Sequence, residues 1–132
     1  MEWGEGWYAY VNPADVEGVH PYGGTGNRAT SGQGSRDRVE GAHARTGKPV
    51  YVTEVGWPTP VGQSPTGDSL QWSEAEQAAN ITNFVAWAKA TGYVADVTIF
   101  NYRDYGTNDW YGIESSSGRH KLSYAALAAF RH

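Results

Sequence analysis

Three short runs rich in β-branched residues, each followed by a helical pattern, leave few folds open to this chain. The runs are Asp15–Tyr22, Pro49–Thr53 and Val94–Tyr102. His20-Pro21-Tyr22 and the Gly23-Gly24 pair end the first, because proline lacks an amide donor and glycine breaks the pattern. A helix is expected over Arg36–Arg45, with Ser35 as its cap and Gly47 closing it. The next helix carries the strongest signals. Ser73 is the N-cap, and Glu76 three residues on completes a capping box. Ala78, Ile81, Phe84, Val85 and Ala88 form one apolar stripe, and Gly92 stops the helix. A last helix is expected from near Ser123 through Tyr124–Phe130. Strand and helix therefore alternate three times. That order implies an α/β fold, a parallel sheet with right-handed crossovers and helices packed on the outside.

The middle run delivers a carboxylate. Val50, Tyr51, Val52 and Thr53 favour a strand, and Gly56, Pro58 and Pro60 cannot continue one. Glu54 is thus expected at a strand's C-terminal end, with Trp57 three residues later. Charged side chains are rarely buried there without a task or a partner. A carboxylate beside an indole suits sugar chemistry: the acid acts at the anomeric carbon, and the ring packs on the apolar face of a pyranose. His20-Tyr22, Glu54-Trp57 and Asn101-Asp104 all fall at the C-terminal ends of successive strands. In a (β/α)8 barrel, active sites are built at that end.

Composition sets outer limits. The 132 residues suffice for a single domain with a modest core. Residues 1–14 are an irregular aromatic-rich stretch in which Trp3, Trp7, Tyr8 and Tyr10 need burial and Glu2 and Glu5 face solvent. A net charge of −4 with no basic stripe argues against a nucleic-acid partner. No run approaches the ~18 apolar residues of a membrane span. The opening MEWGEGWYAY has neither a positive nor an apolar region of a signal peptide, so a soluble chain is expected and its compartment stays open. With no cysteine, disulfides and thiolate metal sites are excluded. Neither cofactor nor metal is expected, because His20, His43, His120 and Asp104 lack metal-ligand spacing. Six Trp, nine Tyr and 17 Gly fit a protein that grips carbohydrate, and equally a loop-rich α/β domain.

PVYVTEVGWPT resembles the seventh-strand segment of retaining β-glycoside hydrolases of the TIM-barrel clan that includes cellulases, β-glucosidases, mannanases and xylosidases. GVHPYG is similar to that clan's sixth strand, and VTIFNYRDYGTNDWYGIESSSGRHKLSYAALAAF to its eighth strand, following loop and last helix. The resemblance spans roughly residues 15–130. It implies a partial (β/α)8 TIM barrel, about the last three βα units, with Glu54 as the catalytic nucleophile. It also implies that His20 and Tyr22 line the sugar site, with Tyr22 hydrogen-bonded to the nucleophile. Trp57, Phe100, Tyr102 and Trp110 are the remaining sugar-binding candidates, for a β-linked saccharide. The chain departs from the family pattern in three ways. A full barrel needs eight strands and ~250 residues. The Asn-Glu pair that carries the acid/base has no counterpart here. Phe100 or Tyr102 stands where many members have Trp, and Leu122-Ser123 where Pro-Ala is common.

Retaining hydrolysis uses two carboxyl groups about 5–5.5 Å apart, one attacking and one moving protons. Glu54 supplies the attack only, so the expectation is a glycosidase-like fragment with weak or no hydrolysis by itself. The alternative is a non-catalytic carbohydrate-binding or structural sub-barrel module using Trp57, Tyr22 and Trp110 as platforms. Each residue also has a plain structural role open to it. Glu54 could pair with Arg28, Arg45 or Arg103, the tryptophans could be core or lid residues, and Asp104 could stabilise a loop.

A three-strand sheet cut from a barrel has two open edges. Val16, Val52 and Ile99 are expected on its uncovered inner face, where leaving four such side chains wet would forgo about 6–12 kcal/mol. Self-association into a homo-oligomer, as a dimer, is the expected remedy, with Trp3 to Tyr10 as extra covering.

Overall fold

The computed structural model describes residues 15–22, 31–59, 72–105 and 110–130. The N-terminal aromatic stretch, with Glu2 and Glu5, and Arg28 lie outside the described residues. Six elements follow one another: β1 (Glu17–Val19), α1 (Ser31–Thr46), β2 (Val50–Val55), α2 (Glu74–Thr91), β3 (Val94–Ile99) and α3 (Leu122–Ala129). The strands form a parallel sheet in the order β1-β2-β3. Each crossover carries a helix, as the alternating sequence pattern requires.

Two element boundaries move in informative ways. The first strand shrinks to three residues, Glu17 to Val19, paired with Val50 to Val52. Asp15 and Val16 precede this ladder, and Pro21 brings no donor to extend it. α1 begins at Ser31, so Ser35 does not cap it but lies inside it, with no solvent exposure. Tertiary packing overrides the poor helix propensity of Gly32 and Gly34. At its other end Gly47 adopts φ 65°, a left-handed conformation that suits glycine, and its amide bonds the His43 carbonyl at 2.7 Å.

α2 forms as its sequence signals require. The Ser73 hydroxyl accepts from the Glu76 amide at 3.2 Å, and the Glu76 carboxylate accepts from the Ser73 amide at 2.7 Å. Gly92 ends the helix at φ 73°. The buried face holds Ile81, Phe84 and Ala88, joined by Gln77 one turn before Ile81.

The core lies between the sheet and the helices. Val39 and Ala42 of α1 meet Val50, Val52 and Val55 of β2 and Ile81 and Phe84 of α2, all essentially buried. This corrects the expectation that Val52 faces an uncovered side. It points to the helices and is fully buried, while Ile99 packs against the same cluster and Val16 is half-exposed. The opposite face presents Gly18, Tyr51 and Asp96 side by side in register, with Thr53 and Thr98 also exposed. That face is polar or small apart from Tyr51, and of Val16, Val52 and Ile99 only Val16 is exposed, so most of the foreseen loss does not arise. Among the described residues no helix is long and apolar enough to cross a membrane.

Candidate functional site

Glu54 is the fifth of six residues in β2, beside a shift of register between Val52 and Val55. Up to Thr53 the strand alternates buried and exposed. At Glu54 the alternation breaks, and its side chain is 28% exposed. Beside this shift of register the carboxylate stands at the sheet's C-terminal rim, where such irregularities commonly re-aim a side chain.

Two partners come from the end of the neighbouring strand. Past β1, the Tyr22 amide bonds the His20 carbonyl at 2.9 Å across the fully buried Pro21. A bond spanning two residues is the mark of a γ-turn, and the fixed φ of proline suits its centre. The tight turn aims both flanking side chains at one acid. The Tyr22 hydroxyl donates to Glu54 Oε1. His20 Nδ1 lies 3.3 Å from Oε2, on a ring more than half exposed. A phenol donor on one oxygen and an imidazole on the other orient the carboxylate.

Aromatic rings pack behind this group. Tyr111 stands edge-on to Tyr22, with centroids 5.8 Å apart at 79°, and edge-on to Phe100 at 5.7 Å and 60°. Phe100 follows β3, donates its amide to the Val55 carbonyl at 2.8 Å and precedes a cis peptide to Asn101. Gly56 makes this approach possible. A Cβ there would sit 2.1 Å from the Phe100 carbonyl oxygen and 2.9 Å from the Tyr111 ring.

The other sequence candidates go elsewhere. Trp57 is 2% exposed and packs edge-on to Phe84 of α2, so its indole belongs to the core. The physical reason is the path of the chain after β2, which runs buried from Gly56 to Thr59. Tyr102 is more than half exposed and donates to Glu114 at 3.2 Å. The charge of Glu114 beside it raises the phenol's pKa, so Tyr102 stays protonated. Trp110 is half-buried and contributes its carbonyl, which accepts from Thr59 at 2.9 Å and Lys121 Nζ at 3.2 Å.

Among the described residues two further acids are deeply buried, and both are held by cations. Asp104 bonds the buried Lys121 ammonium at 2.7 Å and the Gly112 amide at 2.9 Å, which makes it a loop anchor. Glu114 is gripped by the Arg103 guanidinium and lies 3.3 Å from His120 Nε2. Arg103 is therefore committed to Glu114, while Glu54 is met by Tyr22 and His20. Among the described residues no cluster of three or more metal-ligating side chains forms.

Two residues of this region do not stand out in the sequence as site residues. Gln77 is buried, and its amide nitrogen donates to the carbonyls of Trp57, Tyr111 and Gly112 at 2.9, 3.3 and 3.2 Å. Its place one turn before Ile81, on the apolar stripe, is the signal that marks it. Tyr111 has no comparable local signal, because its neighbours come from other strands.

No family model matches the sequence, and no curated protein matches it. Solved structures do. The chain is similar to the β-glucuronidase of Bifidobacterium dentium, solved with coumarin-3-O-glucuronide, at 20% identity and a TM-score of 0.69 over 90% of this chain and 22% of that one. It is also similar to the β-D-glucuronidase of Dictyoglomus thermophilum, at 17% identity and a TM-score of 0.66 over 90% and 23%. An uncultured Clostridium β-glucuronidase matches at 23% identity and 0.65 over 86% and 22%. At such identities the likeness is one of fold. The chain spans between a fifth and a quarter of the length of these TIM-barrel glycoside hydrolases, and its three parallel strands and three helices share the fold of that part.

Proposed function

We propose that this chain is a glycosidase-like piece of a (β/α)8 barrel, with β1, β2 and β3 in the places of the sixth, seventh and eighth strands. Glu54 is its nucleophile, His20, Tyr22 and Phe100 border the sugar, and the substrate class is a β-linked saccharide. The observation that carries this is the convergence on Glu54. A carboxylate at the C-terminal rim of a parallel strand is held by a phenol and an imidazole from the rim of the next strand. Parallel-barrel enzymes build their sites at that rim.

The chemistry divides into two steps. A Glu54 oxygen attacks the anomeric carbon, and the aglycone leaves with the bonding electron pair, giving a glycosyl ester. An alkoxide leaves only if an acid protonates it, and water enters the ester only if a base takes its proton. Among the described residues the other deeply buried acids, Asp104 and Glu114, are tied to Lys121 and Arg103. On this reading the chain performs the first step on activated substrates, and weak or no turnover is the expected outcome.

The test separates those steps. A 2,4-dinitrophenyl 2-deoxy-2-fluoro-β-glycoside has a leaving group that needs no proton. A panel of such glycosides, a glucuronide among them, should esterify Glu54, as read by peptide mass spectrometry. The adduct is absent in Glu54→Gln. Adduct formation on another residue, or on none, in the folded chain sinks the assignment.

A further inference from the structure

Tyr22 and Glu54 sit on the rim, but what sets the Tyr22 ring comes from a different part of the chain. Its edge-on neighbour Tyr111 belongs to the segment between β3 and α3, and that segment is fastened at several points. The Tyr111 and Gly112 carbonyls accept from Gln77 of α2. The Gly112 amide donates to Asp104, which the buried Lys121 ammonium holds in turn. Lys121 Nζ also donates to Thr59 at 2.8 Å, tying the segment to the chain that leaves β2. At Gly112 itself a Cβ would lie 2.3 Å from the Asp104 amide nitrogen and 2.6 Å from the Glu114 carbonyl oxygen. The backbone therefore has little room to shift.

We propose that Tyr111 is a positioning residue for the candidate nucleophile. It acts through Tyr22: its ring fixes the Tyr22 ring, and the Tyr22 hydroxyl then fixes one oxygen of Glu54. The proposal rests on the assignment of Glu54 given above and adds where the precision of that carboxylate originates. Among the described residues β1 is an edge strand of three residues, a short support for an aligned catalytic group. The segment carrying Tyr111 is fastened to α2 through Gln77 and, through its own Lys121, to Thr59 in the buried chain beyond β2, so it transmits the rigidity of the core to the rim. Catalytic geometry of this kind depends on neighbours whose own orientations are locked. Gln77 and the Asp104–Lys121 pair lock Tyr111, which gives these buried polar groups a purpose beyond stability.

The contact is a ring contact, so phenylalanine should preserve it and aliphatic side chains should not. Edge-to-face aromatic pairs correspond to about a tenfold population difference at the upper end of their range. Two readouts on the folded chain test this. The first is the hydroxyl proton of Tyr22, observed by NMR with ring-labelled tyrosine and assigned through Tyr22→Phe. A protected signal is expected in the wild type and in Tyr111→Phe, and its loss in Tyr111→Leu and Tyr111→Met. Methionine fills the space flexibly, so it supplies a folded variant if leucine does not. The second readout is the rate of Glu54 esterification by the dinitrophenyl fluoroglycoside. It should fall about tenfold in the leucine or methionine variant and stay within about twofold in Tyr111→Phe. Tyr111→Leu should add nothing in a Tyr22→Ala background.

Retention of the protected hydroxyl in a folded leucine or methionine variant overturns the proposal. Loss of that signal with an unchanged labelling rate overturns it as well, because Tyr111 would then set Tyr22 without setting Glu54. A wild type that takes no label sinks the nucleophile assignment, and the hydroxyl signal still decides whether Tyr111 positions the pair.

Discussion

At the scale of single residues, the site depends on one missing side chain as much as on those present. Gly56 lets the end of β2 touch the carbonyl of Phe100. The atom it would strike is backbone, held where the Phe100 amide bonds Val55. It cannot rotate away as a flexible side chain would. Gly56→Ala should therefore cost at least the 1–3 kcal/mol or so typical of overpacking. In denaturant the midpoint should drop while the slope stays unchanged. An unchanged midpoint would mean that the two strand ends separate easily. The buried Lys121–Asp104 pair shows another residue-scale rule. All three ammonium protons have an oxygen within reach, on Thr59, Asp104 and Trp110, which makes such a burial tolerable.

At the scale of elements, α2 and α3 are joined where they begin. Glu74, in the first turn of α2, takes both terminal nitrogens of Arg119 and the Leu122 amide at 3.3 Å. A carboxylate is favoured at a helix N-terminus, and this one serves two such ends. The hydrogen bond from Arg119, chiefly, lowers the pKa of Glu74 below its ordinary 4.5. A carboxyl whose folded pKa lies below its unfolded one stabilises the fold fully above the unfolded value. That contribution disappears as the pH falls through the folded value. Arg119→Gln should therefore destabilise the chain near neutrality, and only modestly because the guanidinium is half exposed and its charge is screened by solvent. The gap between variant and wild type should narrow as the pH falls below 4.5. Thermal melts at pH 7 and pH 3 check this. An equal gap at both would assign Arg119 a packing role instead.

For the molecule as a whole, the sheet's edges matter more than its open face. That face carries Tyr51, Thr53, Asp96 and Thr98 and tolerates water. Among the described residues β1 and β3 each pair on one side only, leaving backbone donors and acceptors along two edges. Open edges invite pairing with another chain. We therefore retain the proposal of a homodimer, joined along strand edges and not across buried valines. Light scattering on the purified chain should return the mass of two copies. A monodisperse monomer across the accessible concentration range rules it out.

Local pattern by itself determined the alternation of strand and helix, the capped helix α2, and a carboxylate arriving with His20 and Tyr22 at successive strand ends. Those features follow from propensity, capping chemistry and residues that cannot continue a ladder, all of which act within a few positions. Only the tertiary structure decided that Trp57 joins the core, that Val52 faces the helices, and that Glu54 is turned outward beside a register shift. Side-chain alternation predicts faces only while the ladder is regular, and it is not regular between Val52 and Val55. The sorting of acids among cations was also outside the reach of sequence. Asp104 and Lys121 are 17 positions apart, and Thr59 and Lys121 are 62. Tyr111 meets Tyr22 across most of the chain. Only the crossovers that set parallel strands side by side bring such distant residues to one rim, because parallel pairing joins strands through long connections.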